Sequence, residues 1–502
     1  MNPGERPRSW FSIPPSADRR SGGIVDIDLF VRAVAVAFLA TALLVQPALA
    51  DEPELPSGLF DDPEEGFPLE PGMSEENEPP PLPDGLRIVD DIEATKRNRK
   101  LKEIVGLNGF FEFRGGVRVQ EDPFSKRVSL GEYRIHLQVL KFLKKRYLIK
   151  LATDYVFDNA FNEFDRGSGT GYLDVREAFL SYTPIEAIDI KVGRQILTWG
   201  TGDLLFINDL FPKDAPSTIL GRDVAYLKAP SDALKVSVFA KIFSLDFVYV
   251  PRFNPDRVVT GTRLSYFNPI LMSRAGQNAV IEPLQPDIWF QEDEIHARLS
   301  KEVGRFELAL YGYWGYWKTL SGIDMTTFRP IHPALHVYGA SIRGPIGRGV
   351  FSMEGGYYDS RDDPDGIDPF RFNSQIRGLM AYEAQIPKIK DSTFSVQYYF
   401  EAMRQYDEFL ATAFPPILDR IRHVTTLRLQ KSWLNQNLQT NLFVFFSPSD
   451  MDSYIRFRAE YKLTDAWQLA GGANLLFGRD DFTFFGQFTD NSNIYSSLRR
   501  SF

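Results

Sequence analysis

Residues 454–476 read YIRFRAEYKLTDAWQLAGGANLL, and the fold follows from their alternation. Tyr454, Arg456, Arg458, Glu460 and Lys462 fall on one face, and Ile455, Phe457, Ala459, Tyr461 and Leu463 on the other. A period of two is a β-strand with one polar and one apolar face. After a tight turn at Thr464-Asp465-Ala466 the chain returns through Trp467, Leu469, Gly471, Ala473 and Leu475, with Gln468, Gly472 and Asn474 between them. Each arm has about ten residues, whereas soluble strands usually have about five or six and a tilted strand crossing a bilayer about nine to eleven. The length favours a membrane barrel.

Composition agrees with that reading. Hydrophobic residues make up only 43% of the 502, and no stretch after residue 50 is apolar enough for a membrane helix. A barrel hides its membrane character in this way, because each strand shows lipid only alternate side chains. The 41 Phe and 21 Tyr suit strands and interfacial girdles. With no Cys there is no disulfide frame, thiol nucleophile or thiolate metal site.

The net charge of −9 is unevenly placed. Residues 1–50 carry +1, residues 51–86 carry twelve acids and no Lys or Arg, and the remainder is therefore +2. Ala33 to Val45, AVAVAFLATALLV, follows Arg32 and precedes an A-x-A-like site ending at Ala50, which reads as a secretory signal over residues 1–50. The Pro-rich acidic stretch that follows lacks any period and reads as a disordered periplasmic tail over residues 51–104, with a short helix from Asp90 to Val105.

From residue 105 to 502 the alternation recurs. Strands are expected near 111–119, 133–139, 147–157, 171–183, 188–196, 233–242, 244–251, 293–302, 305–317, 334–345, 349–358, 373–386, 392–403, 422–433, 437–446, 453–463, 466–477 and 490–502. The period blurs in the fourth, as at a β-bulge. The expected fold is all-β, a transmembrane antiparallel β-barrel of 18 strands, with 16 as the alternative count. Short connections alternate with long ones, as between the periplasmic turns and outer loops of bacterial outer-membrane barrels.

Phe502 ends an alternating last strand and resembles the assembly signal of outer-membrane proteins, with Leu498 and Ile494 on its face; Arg500 and Ser496 depart from that pattern. The barrel resembles the porin-like and alginate-export-like group of large proteobacterial barrels, and GRQILTWGTGDLLFINDLFPKD, Gly193 to Asp214, is similar to a stretch found in that group. The resemblance implies the fold, the cell outer membrane, and contact with its lipid and with the barrel-assembly machinery. It does not imply a solute.

The connection from Gly200 to Asp232 contains Leu204, Leu205, Phe206, Ile207, Leu210 and Phe211, too apolar to float in water. It packs inside the barrel as a constriction or caps the rim. The next long connection, Arg252 to Glu292, is interrupted by Pro255, Pro269, Pro283 and Pro286. The inward set given by the period includes Arg114, Arg118, Arg134, Lys150, Lys191, Arg298, Arg428, Arg456 and Arg458, against Glu112, Asp154, Asp189 and Glu460. Such a surplus would favour anions in a channel; a salt-bridged interior is the competing reading, and the two can coexist.

Enzyme motifs are lacking: the five His are scattered, Pro333 separates His332 from His336, and no G-x-S-x-G occurs. Arg361 stands where the first ligand of a calcium loop should be in the acidic run 361–368. No catalysis, cofactor, metal or nucleic acid is expected. The chain reads as a porin-like channel for passive passage of small solutes, anions being favoured where the basic surplus is left unpaired; the alternative is a barrel component of an export or secretion route with a periplasmic protein partner.

Overall fold

The computed structural model describes residues 106–144, 146–158 and 173–502. The signal, the acidic tail and the helix expected before Val105 lie outside these residues. The first strands are β1 (Leu107–Arg118), β2 (Val128–Leu143), β3 (Tyr147–Asp158), β4 (Asp174–Ile185), β5 (Ile188–Gln195) and β6 (Ser231–Phe239). There follow β7 (Ser244–Val250), β8 (Glu294–Val303), β9 (Phe306–Tyr316), β10 (Ala334–Ile346), β11 (Gly349–Ser360) and β12 (Gln375–Gln385). The ring is completed by β13 (Ser392–Met403), β14 (Ile421–Trp433), β15 (Leu438–Ser447), β16 (Asp452–Lys462), β17 (Trp467–Gly478) and β18 (Asn493–Ser501). These are the 18 strands expected from the alternation, in one sheet.

Every strand pairs antiparallel with its sequence neighbour, and β1 closes on β18 with Arg114 opposite Ser497. Closure removes the open edge that lipid cannot hydrogen-bond. Phe502 sits at the seam. Its amide donates to the Gly109 carbonyl at 2.9 Å, and its ring lies 5.0 Å from that of Phe111. The blurred fourth strand is a bulge: Ala152 faces Glu177 and Thr153 faces Val175, so Arg176 is the extra residue. The bulge turns Arg176 inward, where it donates to the carbonyls of Ala225 and Lys228 at 2.9 and 2.8 Å.

Alternation sorts the wall into two faces. Phe113, Tyr133, Leu151, Tyr155, Leu308 and Val396 are exposed on the outside, while Arg114, Arg134, Asp154, Ser341, Glu354 and Gln397 are buried inside. Leu151, 43% exposed near the middle of β3, should therefore face hydrocarbon. Leu151→Arg is expected to cost about 2–4 kcal/mol, measured by folding titration into lipid, whereas Thr153→Ser on the same face should be near neutral.

The interior is not an empty bore. One apolar cluster joins Leu130 of β2, Tyr313 of β9, Leu335 and Val337 of β10, Tyr358 of β11 and Phe443 and Phe445 of β15 through Ile207, Ile219 and Leu220 of the β5–β6 connection. A segment rooted between β5 and β6 that packs on β2, β10, β11 and β15 has to cross the lumen. Of the two placements open to it from sequence, the loop takes the inner one. The 251–293 connection folds over the same end: the Arg263 carbonyl accepts from Arg118 at 2.5 Å, Asn491 donates to the Ser265 carbonyl at 2.8 Å, and Lys318 donates to that of Asn254 at 2.9 Å.

Candidate functional site: a latched loop across the lumen

The loop is built to expose carbonyls at its tip. Asp214 caps a single helical turn, Ala215–Ile219, by accepting from the Ser217 amide at 2.8 Å, and Pro216 suits the first turn of a helix. A turn this short leaves its last carbonyls without helical partners. The far wall supplies donors for them. Tyr454 donates to the Thr218 carbonyl at 2.8 Å, Asn493 to that of Ile219 at 2.9 Å, Arg114 to that of Gly221 at 3.0 Å and Arg456 to that of Arg222 at 2.7 Å. Gly221 has φ +70°, and a Cβ there would lie 2.2 Å from the Tyr495 ring, so both backbone and space require glycine.

Charges complete the latch. The Arg222 guanidinium forks onto Glu132 of β2 at 2.7 and 3.0 Å. Asp223 is gripped by Arg114 of β1 at 3.4 Å, by Arg458 of β16 and by Arg499 of β18. Burial alone would raise the Asp223 carboxyl, but Arg458, Arg114 and Arg499 override it and hold it well below the usual carboxylate range. A depressed carboxylate stabilises the docked state at pH above its undocked value, near 3.9, and that contribution is lost as pH falls below it. Opening events in single-channel traces should accordingly become more frequent below about pH 4; a flat record from pH 7 to pH 3 would contradict the latch.

Nearer its start the loop is held by a different wall. Glu354 of β11, 2% exposed, accepts from the amides of Thr201, Gly202 (3.0 Å) and Asn208 (3.4 Å) and from the Asn208 side chain (3.2 Å). Gln397 of β13 exchanges two hydrogen bonds with the Asp203 backbone, at 2.8 and 2.9 Å. Arg428 of β14 bridges Asp203 and Glu383 at 2.7 and 2.8 Å. Burial pushes the Asp203 carboxyl up against the pull of Arg428, the opposite sign to Asp223. Acid therefore acts on the tip and spares this anchor. Between the loop and β8–β10 a cavity of about 10 Å³, lined by Trp199, Asn208, His296 and Tyr311, has room for one water.

The nine basic residues predicted to face inward divide by partner. Arg114 bonds Glu112 at 3.0 Å as well as Asp223, Arg118 lies 3.8 Å from Asp122, and Arg134 joins Glu132 and Asp154 beneath the Tyr226 ring. Lys150 pairs with Glu177, Arg298 with Glu307, Arg428 with Asp203 and Glu383, and Arg458 with Asp223 and Glu460. Two form no direct ion pair with a carboxylate among the described residues. Arg456 serves the loop carbonyl, and Lys191 lies 4.7 Å over the Phe179 ring, opposite Lys235 in the ladder. Four inward acids are expected from the alternation; as partners of inward cations the structure adds, among others, Glu132, Glu177, Asp246, Glu307 and Glu383 from the wall and Asp203 and Asp223 from the loop. The wall acids were readable from strand parity, as Glu132 shares the parity of Arg134. The loop acids had no periodic signal at all.

Among the described residues no cluster of His, Asp and Glu is placed to hold a metal ion. A closed 18-stranded antiparallel sheet with an apolar exterior and a charged interior defines a large, porin-like transmembrane β-barrel of the outer-membrane type. Solved structures similar to it include Acinetobacter baumannii OccAB3, at 10% identity and TM-score 0.46 over 79% of this chain and 98% of that one. Pseudomonas aeruginosa OccD3 (OpdP) is similar at 10% identity and TM-score 0.44, over 79% and 91%. A mutant of the Rh. blastica porin is similar at 11% identity and TM-score 0.36, over 79% and 99%. Neither a protein-family model nor a curated protein matches the chain.

Proposed function

We propose that this barrel is a passive outer-membrane channel for small solutes whose conductance is limited by the loop that crosses its lumen. The observation that carries this reading is the loop's attachment to opposite walls: Glu354 of β11 at one end and Glu132 of β2, with Arg114, Arg456, Arg458 and Arg499, at the other. Rings of 16 to 18 strands are wide enough for water, so the loop sets the limiting aperture. Phe502, held in the seam, is the residue proposed to mark the chain for the barrel-assembly machinery.

A preference for anions is the finer part of the proposal. Most inward cations are neutralised by neighbours, so among the nine the preference would rest on Lys191, because Lys235 opposite it in the ladder pairs with Asp246 at 3.1 Å. Reversal potentials in a salt gradient test this. The wild type should pass chloride in preference to potassium, Lys191→Ser should reduce that preference, and the effect should fade as the screening length drops from about 10 Å at 0.1 M salt to about 3 Å at 1 M. Cation selectivity in the unmutated protein would sink the anion reading and leave the channel reading intact.

A further inference from the structure

We propose that the short-turn rim of the barrel is a collar for anionic phospholipid headgroups of the leaflet that surrounds it. The collar lies outside the lumen, and its role does not depend on the channel reading. The short turns of a bacterial outer-membrane barrel lie on the periplasmic side. Here they carry cations: Arg146 between β2 and β3, Lys241 between β6 and β7, Arg305 between β8 and β9, Arg348 between β10 and β11, Lys388 between β12 and β13, and Lys462 where β16 turns into β17. All are exposed, and among the described residues none of them forms an ion pair. The acids in the short turns, Glu186, Asp391 and Asp465, are fewer. At the opposite rim Arg252, Arg274, Arg361, Arg371 and Arg422 each lie on an aspartate.

Apolar side chains set the depth of these charges. Val303 ends β8 and Ile346 ends β10, both exposed on the outward parity of Leu299 and Tyr338, and each is followed two residues later by an arginine, Arg305 or Arg348. Two residues span at most about 7 Å, and the headgroup layer is about 5 to 8 Å thick on each side of the hydrocarbon. The guanidinium therefore reaches phosphate depth. Lys and Arg lay their stems along apolar surface and keep the charged head wet. Two indole rings mark the same boundary: Lys431 lies 4.4 Å over Trp433, and Arg500 5.5 Å over Trp467. Cations held at that depth attract anionic lipids. Because they recur around the closed ring, a leaflet meets all of them at once, whereas a folded partner would cover only an arc.

Electron spin resonance of spin-labelled phosphatidylglycerol or phosphatidylcholine, in phosphatidylcholine vesicles holding the full barrel, measures the lipid beside the wall and does not depend on conduction. Phosphatidylglycerol should associate at least about threefold more strongly than phosphatidylcholine at 0.1 M salt, and the ratio should fall toward one at 1 M, where the screening length drops to about 3 Å. Combining Arg146→Gln, Lys241→Gln, Arg305→Gln, Arg348→Gln, Lys388→Gln and Lys462→Gln should abolish the preference. If that variant does not fold, Arg305→Gln with Arg348→Gln, on adjacent turns, should still lower it. Arg361→Gln on the opposite rim should leave it unchanged. Equal association of the two lipids with the wild type, or a preference that neither rim variant lowers, overturns the proposal. Polyglutamate binding to the detergent-solubilised barrel, lost in the combined variant and unaccompanied by a lipid preference, would overturn it in favour of an acidic polypeptide.

Discussion

Replacing residues 200–228 with a short Gly-Ser linker will raise single-channel conductance several-fold without unfolding the barrel. The wall does not need the loop for its backbone hydrogen bonds, because each strand is satisfied by its two neighbours around the closed ring. What the loop provides is packing inside: Ile207, Ile219 and Leu220 sit within the apolar cluster, and their removal exposes Leu130, Tyr358 and Phe445 to the lumen. That loss lowers stability, but water enters the same space and solvates Glu354, Glu132 and the arginines as it does so. Buried charges are costly when left both unpaired and dry, and here they become wet. Heat-modifiable migration on a gel should therefore persist. Unchanged conductance in planar bilayers would mean that the 251–293 connection, which ties Ser265 to Asn491 at the same end, closes the bore by itself.

The barrel was legible in the chain because a strand between lipid and a polar lumen repeats one rule every two residues. Tyr133, Ile135 and Leu137 against Arg134, His136 and Gln138 could only be read one way, and the seam strand kept the rule at Ile494 and Leu498 while departing from it at Ser496 and Arg500. Even the departure at Arg176 showed as a blur in the period before it proved to be a bulge. The site was less legible. Parity placed Arg114, Arg456 and Arg458 on the inner face, but it could not say what they meet there. Their partners, Gly221, Arg222 and Asp223, lie in a loop whose path is fixed by packing between segments more than a hundred residues apart. Composition gave a hint: six apolar residues between Leu204 and Phe211 would not stay in water, so the loop had to bury them somewhere. The direction of that burial needed the whole ring.

Glu132→Leu is expected to free the loop tip and leave the barrel standing. Glu132 is 1% exposed and carries four charged hydrogen bonds: Arg134 reaches one oxygen at 2.9 and 2.5 Å, and Arg222 reaches the other at 3.0 and 2.7 Å. Breaking a buried pair by deleting one partner costs about 3–5 kcal/mol, because the remaining charge is stranded. The two arginines do not share that cost equally. Arg134 keeps Asp154 and the face of Tyr226 and stays compensated. Among the described residues the Arg222 side chain keeps only the Ser217 hydroxyl at 3.1 Å, and it belongs to the loop. The cheaper escape is for the tip to lift and carry Arg222 into water, since that requires no strand to separate. Trypsin should then cut at Arg222 in the variant and spare it in the wild type, while the unfolding midpoint of the barrel shifts little. Glu177→Gln is the control: its partner Lys150 is a quarter exposed, and such a pair is worth up to about 1 kcal/mol. If Glu132→Leu lowered the barrel midpoint while residue 222 remained protected, the ion pair would belong to the wall's stability and the tip would be held by its carbonyls and Asp223 alone.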